Sequence, residues 1–120
     1  MKKDAKDKSI SNEEVVLICG AIDELFEISD YSQIPEEEYI KFKLAAESAK
    51  TKLKNHEGRF DADEIWAIYE ALRISRATLN KFKAVTRKGT KLFKQNNKYL
   101  TMVNRLLPLF EAGVKETEQK

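Results

Sequence analysis

Little in this sequence breaks a helix, and little in it performs chemistry. Across 120 residues there are four glycines and two prolines, too few for the turns of a β fold, so the chain reads as helical. A single cysteine, Cys19, excludes an intrachain disulfide. It falls on the apolar face of a predicted helix, the usual place of an inert buried thiol, and suits a reducing, cytoplasmic setting. A single histidine, His56, leaves no second imidazole for a metal site or a His-based catalytic pair. No uninterrupted run of about 18 apolar residues exists, so no membrane span is expected. The basic start, Met1 to Lys8, is not followed by the apolar stretch of a signal peptide. A Gly-rich phosphate loop, a Ser/His/Asp arrangement and the Glu-x-x-His pairs of a di-metal bundle are also missing. Asp61-Ala62-Asp63 opens like a calcium loop, but Ile65 and Trp66 then stand where an oxygen ligand and a glycine are needed. No enzyme activity, metal or cofactor is expected.

Two stretches lack charge of one sign. Residues 9–40 hold nine acids and no Lys or Arg, whereas residues 71–110 hold ten bases and no acid. The formal net charge of +2 conceals this segregation. A long stretch of one sign creates a local field that a mixed surface does not.

What is present is helical periodicity. Ser11 and Glu14 form a capping box that opens a first helix, with Val15, Ile18, Cys19, Ile22, Leu25 and Phe26 on one stripe and an end near Ser29. Pro35 opens a second, whose narrow stripe is Tyr39, Phe42, Ala46, Ala49 and Leu53 and whose stop is Asn55 to Gly58. Asp61 and Glu64 form a second capping box, with Phe60 as a staple, for a third helix over 62–88 that ends at Gly89. Its stripe is Ile65, Ile68, Tyr69, Leu72, Leu79, Phe82 and Thr86. A fourth runs from Thr90 to about Leu107, with Leu92, Asn96, Tyr99, Val103, Leu106 and Phe110 near one face, and Pro108 ends or kinks it. The expected fold is all-α: a compact antiparallel bundle of four main helices in one domain, residues 11–113, between a flexible basic N-terminus (1–10) and a flexible polar C-terminus (114–120). The third helix would be about 40 Å long and the first only about 25 Å at 1.5 Å per residue. The third therefore either protrudes from the bundle or breaks near Arg73 to Ser75.

The break has a specific form. Leu72 to Phe82 (LRISRATLNKF) resembles the second half of a helix-turn-helix, with Arg73 at the turn and Ile68, Leu72, Ile74, Leu79 and Phe82 at the apolar positions. The resemblance implies that Ser75 caps a recognition helix and that Arg76, Thr78, Asn80 and Lys81 face a groove. Arg73 departs from the glycine usual at the turn, and Tyr69 from the small residue usual four positions earlier.

The candidate binding residues are basic. Arg73, Arg76, Lys83 and Arg87 fall together on a helical wheel, and Lys91, Lys94, Lys98 and Arg105 form a second row. Two such rows suit a phosphate backbone, since each neutralised phosphate releases condensed counterions. The competing reading is a solvated face that pairs with the acidic flank of the first helix. Trp66, beside the third stripe, is either an interface anchor or a cover over a helix seam. The expectation is a small non-enzymatic binding or regulatory protein acting through residues 73–105 on nucleic acid or a nucleoprotein complex. The alternative is a protein–protein adaptor, immunity-type protein or inhibitor that meets an acidic protein surface through its segregated charge. Self-association, acidic helix against basic helix, is a further option.

Overall fold

Four helices make up the fold: α1 (Asn12–Ile28), α2 (Glu36–Lys54), α3 (Ala62–Val85) and α4 (Lys91–Glu118). The computed structural model describes residues 10–28 and 32–118. The expected tail over residues 1–9, the helix end at Ser29 and the last two residues lie outside that range. The helices pack on one another as an all-α bundle, with no strand among the described residues. The most extensive pairing is α3 with α4.

Each start has the local chemistry that its sequence demands. The Ser11 hydroxyl accepts from the Glu14 amide at 3.1 Å and the Glu14 carboxylate accepts from the Ser11 amide at 2.9 Å. Asp61 and Glu64 do the same for α3, both at 2.8 Å. Pro35 stands just outside α2 as its N-cap, where its missing N–H costs no helical bond. Thr90 opens α4: its hydroxyl accepts from the Phe93 amide at 3.2 Å and its carbonyl from the Lys94 amide at 3.1 Å.

The exits are less conventional. After α2 the His56 amide donates to the Leu53 carbonyl (3.0 Å) and the Glu57 amide to the Lys52 carbonyl (2.9 Å). This is the paired closure that usually places glycine at the left-handed position. Here His56 holds it, at φ +58°, within the Asn55–Gly58 stop that the sequence predicts. Gly89 does not cap α3, which ends three residues earlier than expected. It occupies the Arg87–Thr90 turn at φ +86°, a conformation that glycine adopts without steric cost.

The core is drawn from all four helices: Val15, Ile18, Cys19, Ile22 and Leu25; Ala46, Ala49 and Leu53; Ala67, Ile68, Ala71 and Leu72; Val103, Leu106, Leu107 and Phe110. On α3 the buried face is turned toward Ala67 and Ala71, which the sequence stripe did not include, and Tyr69 is only partly buried. Alanines on both α2 and α3 allow these helices to approach closely.

Three expectations are corrected. First, α3 does not break at Arg73–Ser75, so there is no helix-turn-helix. Among the described residues only His56 and Gly89 have positive φ, and Arg73 stays helical with its guanidinium on Glu70, one turn back. Second, Pro108 does not end α4. It lies on the exposed side with Asn104, whose carbonyl loses its donor facing water, while buried Leu106, Leu107 and Phe110 hold the helix in place. Helix α4 therefore runs on through buried Val114. Third, Phe82 and Leu92 are not core residues: they are 42% and 59% exposed.

The third correction follows from helix length. At 1.5 Å per residue α3 and α4 are about 36 and 42 Å long, whereas α1 and α2 are about 25 and 28 Å. Every buried residue of α3 lies at or before Leu72. Ile74 and Leu79 still pack partly buried on the core, and beyond Leu79 α3 and α4 continue as a two-helix projection. Where they run together, the buried Asn96 amide donates to the Leu79 carbonyl at 3.0 Å across the seam.

Candidate functional site

The basic residues divide into two groups by what they touch. Arg105 places its guanidinium on Glu14, with Nε and Nη2 each 2.7 Å from a carboxylate oxygen. Lys98 reaches Glu13 at 2.8 Å. Both bases are on α4 and both acids are in the first turn of α1, so part of the basic row does pair with the acidic flank. Arg73 lies against Glu70 of its own helix, at 2.7 and 3.2 Å. These three belong to the internal electrostatics of the bundle. Glu13 holds the Lys98 ammonium above its ordinary pKa, and Glu70 does the same for Arg73. The Arg105 hydrogen bond holds the Glu14 carboxyl below the ordinary value even though burial works against ionisation.

The second group is Arg76, Lys81, Lys83, Arg87, Lys88, Lys91 and Lys94. All seven are exposed, and none has a described acid within ion-pair distance. They cover the end of α3, the turn and the start of α4. The helices thus gather five predicted site residues (Arg76, Lys83, Arg87, Lys91 and Lys94) at one tip and assign Arg73, Lys98 and Arg105 elsewhere. Lys81 and Lys88 join the tip although they fall outside the two predicted rows. Lys81 lies on α3 itself and Lys88 in the turn, which a wheel drawn for each helix separately does not contain.

Phe82, Val85 and Leu92 were not expected in the site. They are 42%, 80% and 59% exposed. Seven-residue spacing carries the buried positions Ile68 and Ala71 through Ser75 and Thr78 to Phe82 and Val85, so these two side chains extend the α3 core stripe. Leu92 likewise extends the α4 stripe of Asn96 and Val103. The stripe continues after α1 and α2 have ended. The signal for this was the predicted mismatch in helix length.

Trp66 lies outside the tip. It is 44% exposed and stacks on Tyr69, with centroids 5.6 Å apart and planes 17° from parallel. The opposite end of the molecule has an open groove lined mainly by Ile10, Leu53, Phe60, Ile65, Leu109 and Phe110, with His56, Glu57 and Arg59 as its charged or titratable members. It shares no residue with the tip. Burial raises the Cys19 thiol, keeping it in its inert form. Among the described residues no group of three His, Cys, Asp or Glu side chains is arranged to hold a metal ion, and no helix is long and apolar enough to cross a membrane.

Compared with protein-family models, curated proteins and solved structures, the chain matches none.

Proposed function

We propose that this is a small non-enzymatic binding protein of the cytoplasm whose working surface is the α3–α4 tip and whose ligand is nucleic acid. One observation carries the reading: seven exposed bases between residues 76 and 94, without a described acidic partner, in a stretch that contains no acid from residue 71 to 110. Internal pairing accounts for Arg73, Lys98 and Arg105 but leaves these seven unexplained. Concentrating like charge at one tip opposes folding, because the side chains repel one another. A polyanion relieves that repulsion and gains the entropy of released counterions.

Fluorescence anisotropy of labelled oligonucleotides across a salt series tests the reading. If about five phosphates are engaged, log K should fall with log salt at a slope near −3.5 for a single strand or −4.5 for a duplex. Neutralising Arg76, Lys83, Arg87, Lys91 or Lys94 should each lower the slope by about one. Lys98→Ala should leave it unchanged. No binding at about 50 mM salt, where phosphate contacts are strongest, would refute the proposal. Binding confined to an acidic protein would favour the adaptor reading.

A further inference from the structure

We infer that the tip takes single-stranded rather than duplex nucleic acid, with unstacked bases resting on Phe82, Val85 and Leu92. The inference rests on the proposed nucleic-acid reading and adds to it the class of ligand.

Phosphates explain the seven bases of the tip, but they do not explain the apolar stripe among them. All three side chains are exposed, Val85 most of all, and they follow the periodicity of the core. A ligand that covers them needs negative charge and apolar surface within the same few ångströms. Duplex nucleic acid keeps its base faces stacked inside and presents sugar, phosphate and groove edges. A single strand meets both requirements: its phosphates face the lysines and arginines, and every base offers an apolar π face irrespective of sequence. Phe82 is the exposed aromatic ring of the stripe on which a base can stack; Val85, one turn on along the same helix, and Leu92, at the start of α4, add exposed aliphatic surface.

The test uses the full chain with four probes at one salt concentration: a short oligothymidylate, the matching oligouridylate, a duplex of equal length, and phosphatidylserine vesicles. Either single strand should bind at least about five-fold more tightly than the duplex, since one stacked base is worth 1–3 kcal/mol. Phe82→Ala should lower single-strand affinity about five-fold or more while leaving duplex affinity and the single-strand salt slope unchanged. Val85→Ser, at the most exposed of the three positions, is the second variant and should act in the same direction without loss of helical circular dichroism. Duplex binding as tight as single-strand binding, or full single-strand affinity in both variants, would overturn the inference and leave the nucleic-acid reading standing. Absence of binding to all three nucleic acids would overturn both, and vesicle binding alone would reassign the tip to an anionic membrane surface.

Discussion

The guanidinium of Arg105 and the carboxylate of Glu14 form a two-pronged ion pair across 91 positions of sequence, joining α4 to the first turn of α1. Glu14 is also the reciprocal member of the Ser11 capping box. Glu64 repeats the arrangement: it closes the Asp61 box and also accepts from Ser48 and Lys52 of α2. Both glutamates are buried, so each cap also serves as a tether between helices.

Removing Arg105 should therefore cost more than a surface arginine. Arg105→Ala leaves the Glu14 carboxylate, only 7% exposed at its side chain, without its charged partner. A hydrogen-bonded partner of a charged group contributes about 1.5–3 kcal/mol, and urea unfolding should show a loss of that order. Lys98→Ala removes a pair exposed on both sides and should cost less than about 1 kcal/mol. Equal effects from the two substitutions would show that the Glu14 pair is not a tether.

Acid should weaken the same contacts. The Arg105 hydrogen bond outweighs burial and holds the Glu14 carboxyl below its ordinary value of 4.5. Burial works to raise the Glu64 carboxyl, yet the hydrogen bonds from Lys52, Ser48 and the Asp61 amide together bring it below 4.5 as well. A carboxyl depressed in the folded state binds its proton less readily than in the unfolded chain, so stability is complete above the unfolded value. It is lost as pH falls through that value toward the depressed one. The thermal midpoint should hold steady near pH 6 and decline below about pH 4.5, and the decline should be shallower in Arg105→Ala. An identical pH profile in the variant would contradict this assignment.

How much of this was legible in the sequence depends on the range of each interaction. The capping boxes join residues three positions apart, and Ser11, Glu14, Asp61 and Glu64 announced them. The stripe of α1 was legible because Ile18, Ile22 and Leu25 are large and regularly spaced. Ala67 and Ala71 were not, because the larger Ile65 and Tyr69, only partly buried, drew the predicted α3 stripe to one side of the true buried face. Pro108 was read as an end or a kink because propensity is local, and tertiary contacts on either side of it carry the helix past it. Periodicity identified the faces of Phe82 and Leu92 but could not say whether another helix covers them. That depends on where α1 and α2 end relative to α3 and α4. The division of the bases into paired and unpaired groups depends on contacts 85 and 91 residues apart, beyond any sequence window.

His56 gives a prediction that improves the protein. It holds φ +58° at the close of α2, is exposed, and its amide closes onto Leu53. An L-residue in this conformation carries a steric cost of about 1–2 kcal/mol, part of which glycine returns as greater unfolded-state entropy. His56→Gly should stabilise the fold by about 0.5–1 kcal/mol, seen as a higher denaturation midpoint at unchanged m-value. The opposite change at the other left-handed position, Gly89→Ala, meets no atom within 4 Å of the added Cβ. Its cost should be backbone conformation alone, about 1 kcal/mol or more. A neutral result at both positions would mean that neither turn constrains its backbone.

The tip itself should separate stability from binding. If its bases are there for a ligand, they contribute nothing to the fold and repel one another within the free protein. The triple substitution Lys83→Ala, Arg87→Ala and Lys91→Ala should leave stability within about 0.5 kcal/mol of the parent at moderate salt, as for surface residues without partners. At low ionic strength it should raise the thermal midpoint, and this gain should shrink as the Debye length falls from about 30 Å at 0.01 M to about 10 Å at 0.1 M salt. The same triple variant should lose most of its affinity for oligonucleotides. Arg105→Ala should show the converse: lowered stability, with binding unchanged at temperatures where the variant is folded. A triple variant that unfolds more readily at every ionic strength would instead give those bases a structural role and leave nothing for a ligand to account for.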